Sequence, residues 1–90
     1  MRTLEELRVE IDRIDQQMVQ LFEERMQVVA AVMAVKKAAG LPILDASRAE
    51  AVVAKHTARP SDPALAGYYG RLIRQRMALS REYQAKLMAE

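Results

Sequence analysis

The sequence has no cysteine, no tryptophan, one histidine, three glycines and three prolines in 90 residues. Without cysteine there is no disulfide framework and no thiolate zinc site. A lone histidine, His56, argues against a His-rich metal site and against Ser–His or Cys–His nucleophilic chemistry; beside Lys55 near a helix end, it reads as a surface residue. No apolar run approaches the roughly 20 residues of a membrane span. The amino terminus, Met1-Arg2-Thr3-Leu4-Glu5-Glu6, lacks the apolar stretch of a secretory signal, so the expected address is cytoplasmic. Charge of one sign is scarce too: 14 basic and 12 acidic residues leave a net +2. Arg71, Arg74, Arg76 and Arg81 gather in the last third of the chain, and most of them read as a solvated helix face. Neither nucleic acid nor membrane is an expected partner.

What the sequence does have is helix-forming apolar residues. Hydrophobic residues make up 51%, aromatics only 4%, and there are 15 alanines. That mixture favours helix over sheet. A chain of this length makes one domain, residues 1–90. Alone it buries only about 65% of its unfolded surface.

Thr3-x-x-Glu6 is a capping box, and Leu4, Leu7, Ile11, Ile14, Met18, Leu21, Val28, Val32 and Val35 follow in steps that are mostly three and four. Gly40 and Pro42 end that run, so a first helix spans about Leu4 to Lys37 or Ala39. Asp45 or Ser47 caps a second, short helix ending near Ala58, with Ser47-x-x-Glu50 as a further capping box. Asp62-Pro63 starts a third, of about 25 residues, with Leu65, Tyr69, Leu72, Ile73, Met77, Tyr83 and Leu87 as its apolar face. The fold class is all-α: one long, one short and one medium helix. The first helix is a rod of roughly 50 Å, whereas a 90-residue globule is about 30 Å across. Two shorter helices cannot cover its full apolar seam. A second copy would, in an intertwined six-helix homodimer.

Several polar residues sit where an apolar residue is due. Arg25 falls on the seam between Leu21 and Val28, and a guanidinium there is costly unless paired. It either snorkels and sets register, or it awaits an anionic ligand. Lys36 flanks the seam about 16 Å further along the helix, close enough for both side chains to close on one small molecule. Arg8 also flanks the seam but lies about 42 Å from Lys36. It serves the same ligand only if an antiparallel second chain delivers it; otherwise it is a surface residue. Ser80 and Gln84 share a face with Ile73, Met77 and Leu87, and there need hydrogen-bond partners: each other, backbone, or a pocket ligand. Asp45-x-x-Arg48 reads either as a cap with a local ion pair or as part of a site.

The ordered set Leu7-Arg8-x-x-Ile11-x-x-Ile14-Asp15, Arg25, Lys36, Pro42-x-x-Asp45-x-x-Arg48 and Ser80-x-x-x-Gln84 resembles the all-helical class of chorismate mutase over nearly the whole chain. The resemblance implies an intertwined homodimer with two equivalent sites, no cofactor and no metal. It implies that Arg25 and the partner's Arg8 hold the substrate carboxylates. Lys36 would bond the ether oxygen and a carboxylate, with Gln84 on the ether oxygen from the other side. Asp45 and Arg48 would surround the ring hydroxyl and a carboxylate, and Ser80 the ring carboxylate. The implied activity is the rearrangement of chorismate to prephenate in the shikimate pathway and aromatic amino-acid biosynthesis. Some relatives also depend on a larger enzyme of that pathway. One position departs: Ala49 stands directly after Arg48, where the family commonly has a Glu that accepts from the ring hydroxyl.

That departure keeps two rivals of the same fold open, an isochorismate pyruvate lyase and a mutase acting on an amino analogue of chorismate. A rival of another class is a non-catalytic helical dimerisation module. It accounts for the seam, but not for Arg25 within it or for Ser80 and Gln84 on an apolar face.

Overall fold

A computed structural model describes residues 1–90 and contains helices and no strand. The helices are α1 (Leu4–Ala39), α2 (Ala46–Thr57) and α3 (Ala66–Ala89), with a 3₁₀ turn at Pro63–Leu65 leading into α3. Both ends of α1 follow from local chemistry. Thr3 Oγ1 accepts from the Glu6 amide at 3.1 Å, and the Glu6 side chain reaches back to the Thr3 amide. Glu5 and Glu6 lie at the positive end of the helix dipole, Lys36 and Lys37 at the negative end. Gly40 closes the helix at φ 69°, a left-handed conformation that a side chain would strain, and the Leu41 amide bonds the Lys36 carbonyl at 2.9 Å.

The other two starts differ in detail from the sequence expectation. Asp45, not Ser47, caps α2: its Oδ1 accepts from the Arg48 amide at 3.1 Å and from the Ser47 hydroxyl at 3.0 Å. Ser47 lies inside the helix, and Glu50 turns outward to pair with Arg74 at 3.2 Å, so the Ser47–Glu50 capping box does not form. Asp62 caps the 3₁₀ turn through the Ala64 amide, and only then does α3 begin.

The packed core is small: Val29 and Met33 of α1, Val53 of α2, Gly70 and Ile73 of α3. Gly70 is required where α2 meets α3, because a Cβ there would sit 2.7 Å from Thr57 Oγ1. On α1 the buried residues come one position after Val28 and Val32. The apolar seam itself stays uncovered within the chain: Leu4 is 63% exposed, Ile11 55%, Leu21 64% and Val35 65%. Leu65 and Leu72, assigned above to the apolar face of α3, are also exposed. The chain measures 56 × 27 × 14 Å, with a radius of gyration of 16.5 Å against about 12 Å for a globule of this length. No helix is long and apolar enough to cross a membrane.

Candidate active site

The packed end of α1 carries its polar groups on the same line as its core residues. Arg25, Val29, Met33 and Lys36 are spaced four, four and three, which puts them on one face. That face meets α3. Arg25, which the sequence puts on the seam between Leu21 and Val28, lies against α3 of its own chain. Its Nη1 donates to Ser80 Oγ at 2.6 Å, and the Ser80 hydroxyl donates on to the Arg76 carbonyl at 3.0 Å. Lys36 likewise sits on this line: its Nζ donates to Gln84 Oε1 at 3.2 Å and to the Ile43 carbonyl at 2.9 Å. Ser80 and Gln84 are both buried, so without these bonds each would carry the cost of a desolvated polar group, about 1–3 kcal/mol. An ammonium has only donors, so it holds the Gln84 amide with oxygen towards Lys36, leaving Nε2 as the amide's free donor.

These four residues line one cavity of about 210 Å³. Asp45 and Arg48 from the start of α2 line it too, as do Ala49 and Arg81. Half of its 14 lining residues are apolar, among them Val29, Val32, Ile43 and Met77. Six of the seven residues singled out from the sequence are thus brought together. The seventh, Arg8, is exposed near the other end of α1 and does not reach the cavity. A wider depression of about 640 Å³ opens along α3 at Tyr68, Arg71 and Leu72, but it gathers none of them.

The cavity is strongly cationic. Arg25, Lys36, Arg48 and Arg81 line it against the single carboxylate of Asp45. The two ion pairs of the structure, Arg2–Glu10 and Arg74–Glu50, involve none of these cations. Burial, and then the nearby charge of Arg76, lower the pKa of Arg25; a guanidinium still remains charged at any ordinary pH. The Arg48 amide, then the Ser47 hydroxyl, hold Asp45 below the usual carboxylate range, so it is ionised at neutral pH. A dry-sided pocket with uncompensated guanidinium and ammonium groups suits a small polyanion. Arg25 and Lys36 are already held by partners on α3, so these two donors are aimed before a ligand arrives.

Two features were missed in the sequence. Arg81 is part of the lining, not of a solvated face; the spacing Met77, Arg81, Gln84 was the available signal. His56 is half-buried, edge-on to Tyr69 with ring centroids 6.3 Å apart, and its Nδ1 is shut from solvent without a partner. It is therefore not a surface residue, as its inward spacing after Ala49, Val52 and Val53 could have indicated. Burial, then the charges of Arg59, Arg76, Lys55 and Arg25, hold it below the usual imidazole range.

A family model described as chorismate mutase type II matches residues 7–85, most of the chain and all of the cavity-lining residues. Neither a curated protein nor a solved structure gives a significant match.

Proposed function

We propose, for a chain that belongs to the chorismate mutase type II family, that residues 1–90 form one catalytic domain converting chorismate to prephenate. The observation that supports this most directly is the pairing of Arg25 with Ser80 and of Lys36 with Gln84 around one cationic cavity. The reaction is a concerted [3,3] shift in which the ether C–O bond breaks as a C–C bond forms. No proton is transferred and no nucleophile attacks. An enzyme for it must hold a flexible dianion in its compact conformer and stabilise charge developing on the ether oxygen. Arg25 and Arg48 grip carboxylates, for which their planar forks are suited. The Lys36 ammonium and the free Gln84 Nε2 donate to the ether oxygen. Ser80 holds the Arg25 fork in place, and Asp45 faces the ring hydroxyl.

The working form is an intertwined homodimer. Its support is the uncovered apolar length of α1, from Leu4 to Leu21, which water would otherwise solvate. An antiparallel second α1 covers this stripe and brings the partner's Arg8 to the cavity, adding a second grip on the carboxylates. Prephenate leads to phenylalanine and tyrosine, so the step belongs to aromatic amino-acid biosynthesis, with the cytoplasm as its compartment.

The test has two parts. Purified protein is given chorismate and, separately, isochorismate; prephenate from the first is expected, whereas salicylate and pyruvate from the second would make the chain a lyase. Inactive Arg8→Ala and Arg25→Ala proteins are then unfolded together and refolded. Half of the re-assorted dimers are mixed, and each mixed dimer has one intact site, so roughly a quarter of full activity returns. No recovery would remove the shared site.

A further inference from the structure

A second cavity of about 200 Å³ adjoins the first, between α2 and α3. Leu44, Ala49, Met77 and Arg81 line both, so they form the wall that the two share. Past that wall the second cavity is lined by Ala46, Glu50, Val53 and Arg74, none of which lines the first. Five of its eight lining residues are apolar. An apolar cavity of about 150 Å³ is enough for a benzene-sized body.

The charges of this second cavity do not cancel. Arg74 and Glu50 are exposed and pair with each other at 3.2 Å. Arg81 is half-buried and takes part in neither ion pair of the structure. The carboxylate of Asp45 lines the first cavity and not this one. Arg81 is therefore the cation left for an anion here, and it stands beside an apolar volume. A partly desolvated guanidinium without a carboxylate suits a ligand carboxylate.

We infer that the second cavity is a binding site for a small monocarboxylate with an apolar body, and that its occupant competes with the substrate for Arg81. The carboxylate takes the guanidinium, and the apolar body lies against Val53 and Met77. The site itself is independent of the proposed rearrangement; only its kinetic effect rests on that reading. Two anions on one guanidinium repel each other, so an occupied second cavity weakens the hold of the first on its dianion. By linkage the substrate weakens the monocarboxylate by the same factor.

The probe is 3-phenylpropanoate, a ligand of about 11 non-hydrogen atoms. Calorimetry on the wild-type chain should give a dissociation constant of roughly 1 mM, ordinary for that size. The neutral 3-phenylpropanamide should bind about tenfold more weakly or worse, as should the probe to Arg81→Met. Ala46→Phe fills the second cavity alone. It should weaken the probe at least about tenfold and leave kcat/KM for chorismate within about twofold. Arg25→Ala acts on the first cavity alone and should leave the probe's affinity within about twofold. Saturating probe should raise KM for chorismate about fivefold or more with kcat unchanged. Thermal melts establish that each variant is folded, and Arg81→Met carries the test if Ala46→Phe is not. No binding, or equal binding of acid and amide, would overturn the inference. So would a probe lost in Arg25→Ala and kept in Ala46→Phe, which would put it in the first cavity. Binding that leaves KM unmoved would overturn the competition for Arg81. A chain that makes no prephenate yet binds the probe as expected would remove the proposed reaction and leave the site.

Discussion

The two halves of α1 carry one continuous apolar seam and have different fates. Beyond Leu21 the helix has a partner within the chain: Met33 is 2% exposed, and Arg25 and Lys36 end on Ser80 and Gln84. Before it, Leu4, Ile11 and Met18 stand open, each more than half exposed. The heptad seam alone does not distinguish these halves, because it runs through both. What distinguishes them is where the polar residues find partners. Arg25 and Lys36 have theirs on α3 of the same chain, whereas Arg8 has nothing comparable near it.

The largest expected effect lies in the packed half. Arg25→Ala and Lys36→Ala should each lower kcat/KM at least about 100-fold, the usual result of losing one donor to developing charge. Circular dichroism and sedimentation should show helix content and assembly unchanged. If assembly failed along with activity, the division between a chemical half and an assembling half would collapse. The opposite disturbance is Ile14→Glu on the bare half, placing one carboxylate from each copy in the proposed interface at a combined cost of about 2 kcal/mol or more. The dimer dissociation constant should rise by roughly 30-fold, and the lost activity should return at high protein concentration, which Arg25→Ala would not show. Assembly indifferent to this change would mean that the stripe is not the contact. The smallest effect is confined to the packed end. A methyl at Gly70 would crowd Thr57 Oγ1, which donates to the Val53 carbonyl at 2.8 Å. Gly70→Ala should cost about 1 kcal/mol, read as a Tm lower by roughly 5 °C with assembly intact. In a Thr57→Ala background the same change should stabilise, since Ala then gains about 1 kcal/mol in helix propensity. Destabilisation of equal size in both backgrounds would mean that the close approach is not what Gly70 is for.

The helices were legible in the sequence because their ends are local. Thr3 with Glu6, Gly40, and Asp62 before Pro63 each act within a few residues. The α2 start was ambiguous because Asp45 and Ser47 are both good caps; the choice was decided by the Ser47 hydroxyl donating to Asp45. The packing of Arg25 against α3 was hidden for a different reason. Val28, Val32 and Val35 fit a heptad, but Val29 and Met33 are equally apolar, so the helix has two apolar lines there. Only the position of α3 selects between them. The grouping of Arg25, Lys36, Asp45, Arg48, Ser80 and Gln84 was legible as an ordered pattern of residue types. The Ile43 carbonyl under Lys36 was not, because a backbone acceptor leaves no mark in the sequence. Arg81 was hidden by its neighbours: among Arg71, Arg74 and Arg76 it looked like one more solvated cation.

The uninterrupted 36-residue length of α1 has a consequence for how such a chain can vary. Arg8 and Arg25 stand on one rod, about 26 Å apart. In the proposed dimer they serve different pockets, so the rod acts as a ruler between the two. Inserting one residue between them would lengthen it by about 1.5 Å and turn one arginine about 100° relative to the other. A second residue would make the misalignment worse, and only insertions close to a whole number of turns, such as about seven or eleven residues, would restore the facing. Insertions and deletions are therefore expected at the connection 58–62, and not between Arg8 and Arg25 or within 40–45, which carries Ile43 and Asp45 to the cavity.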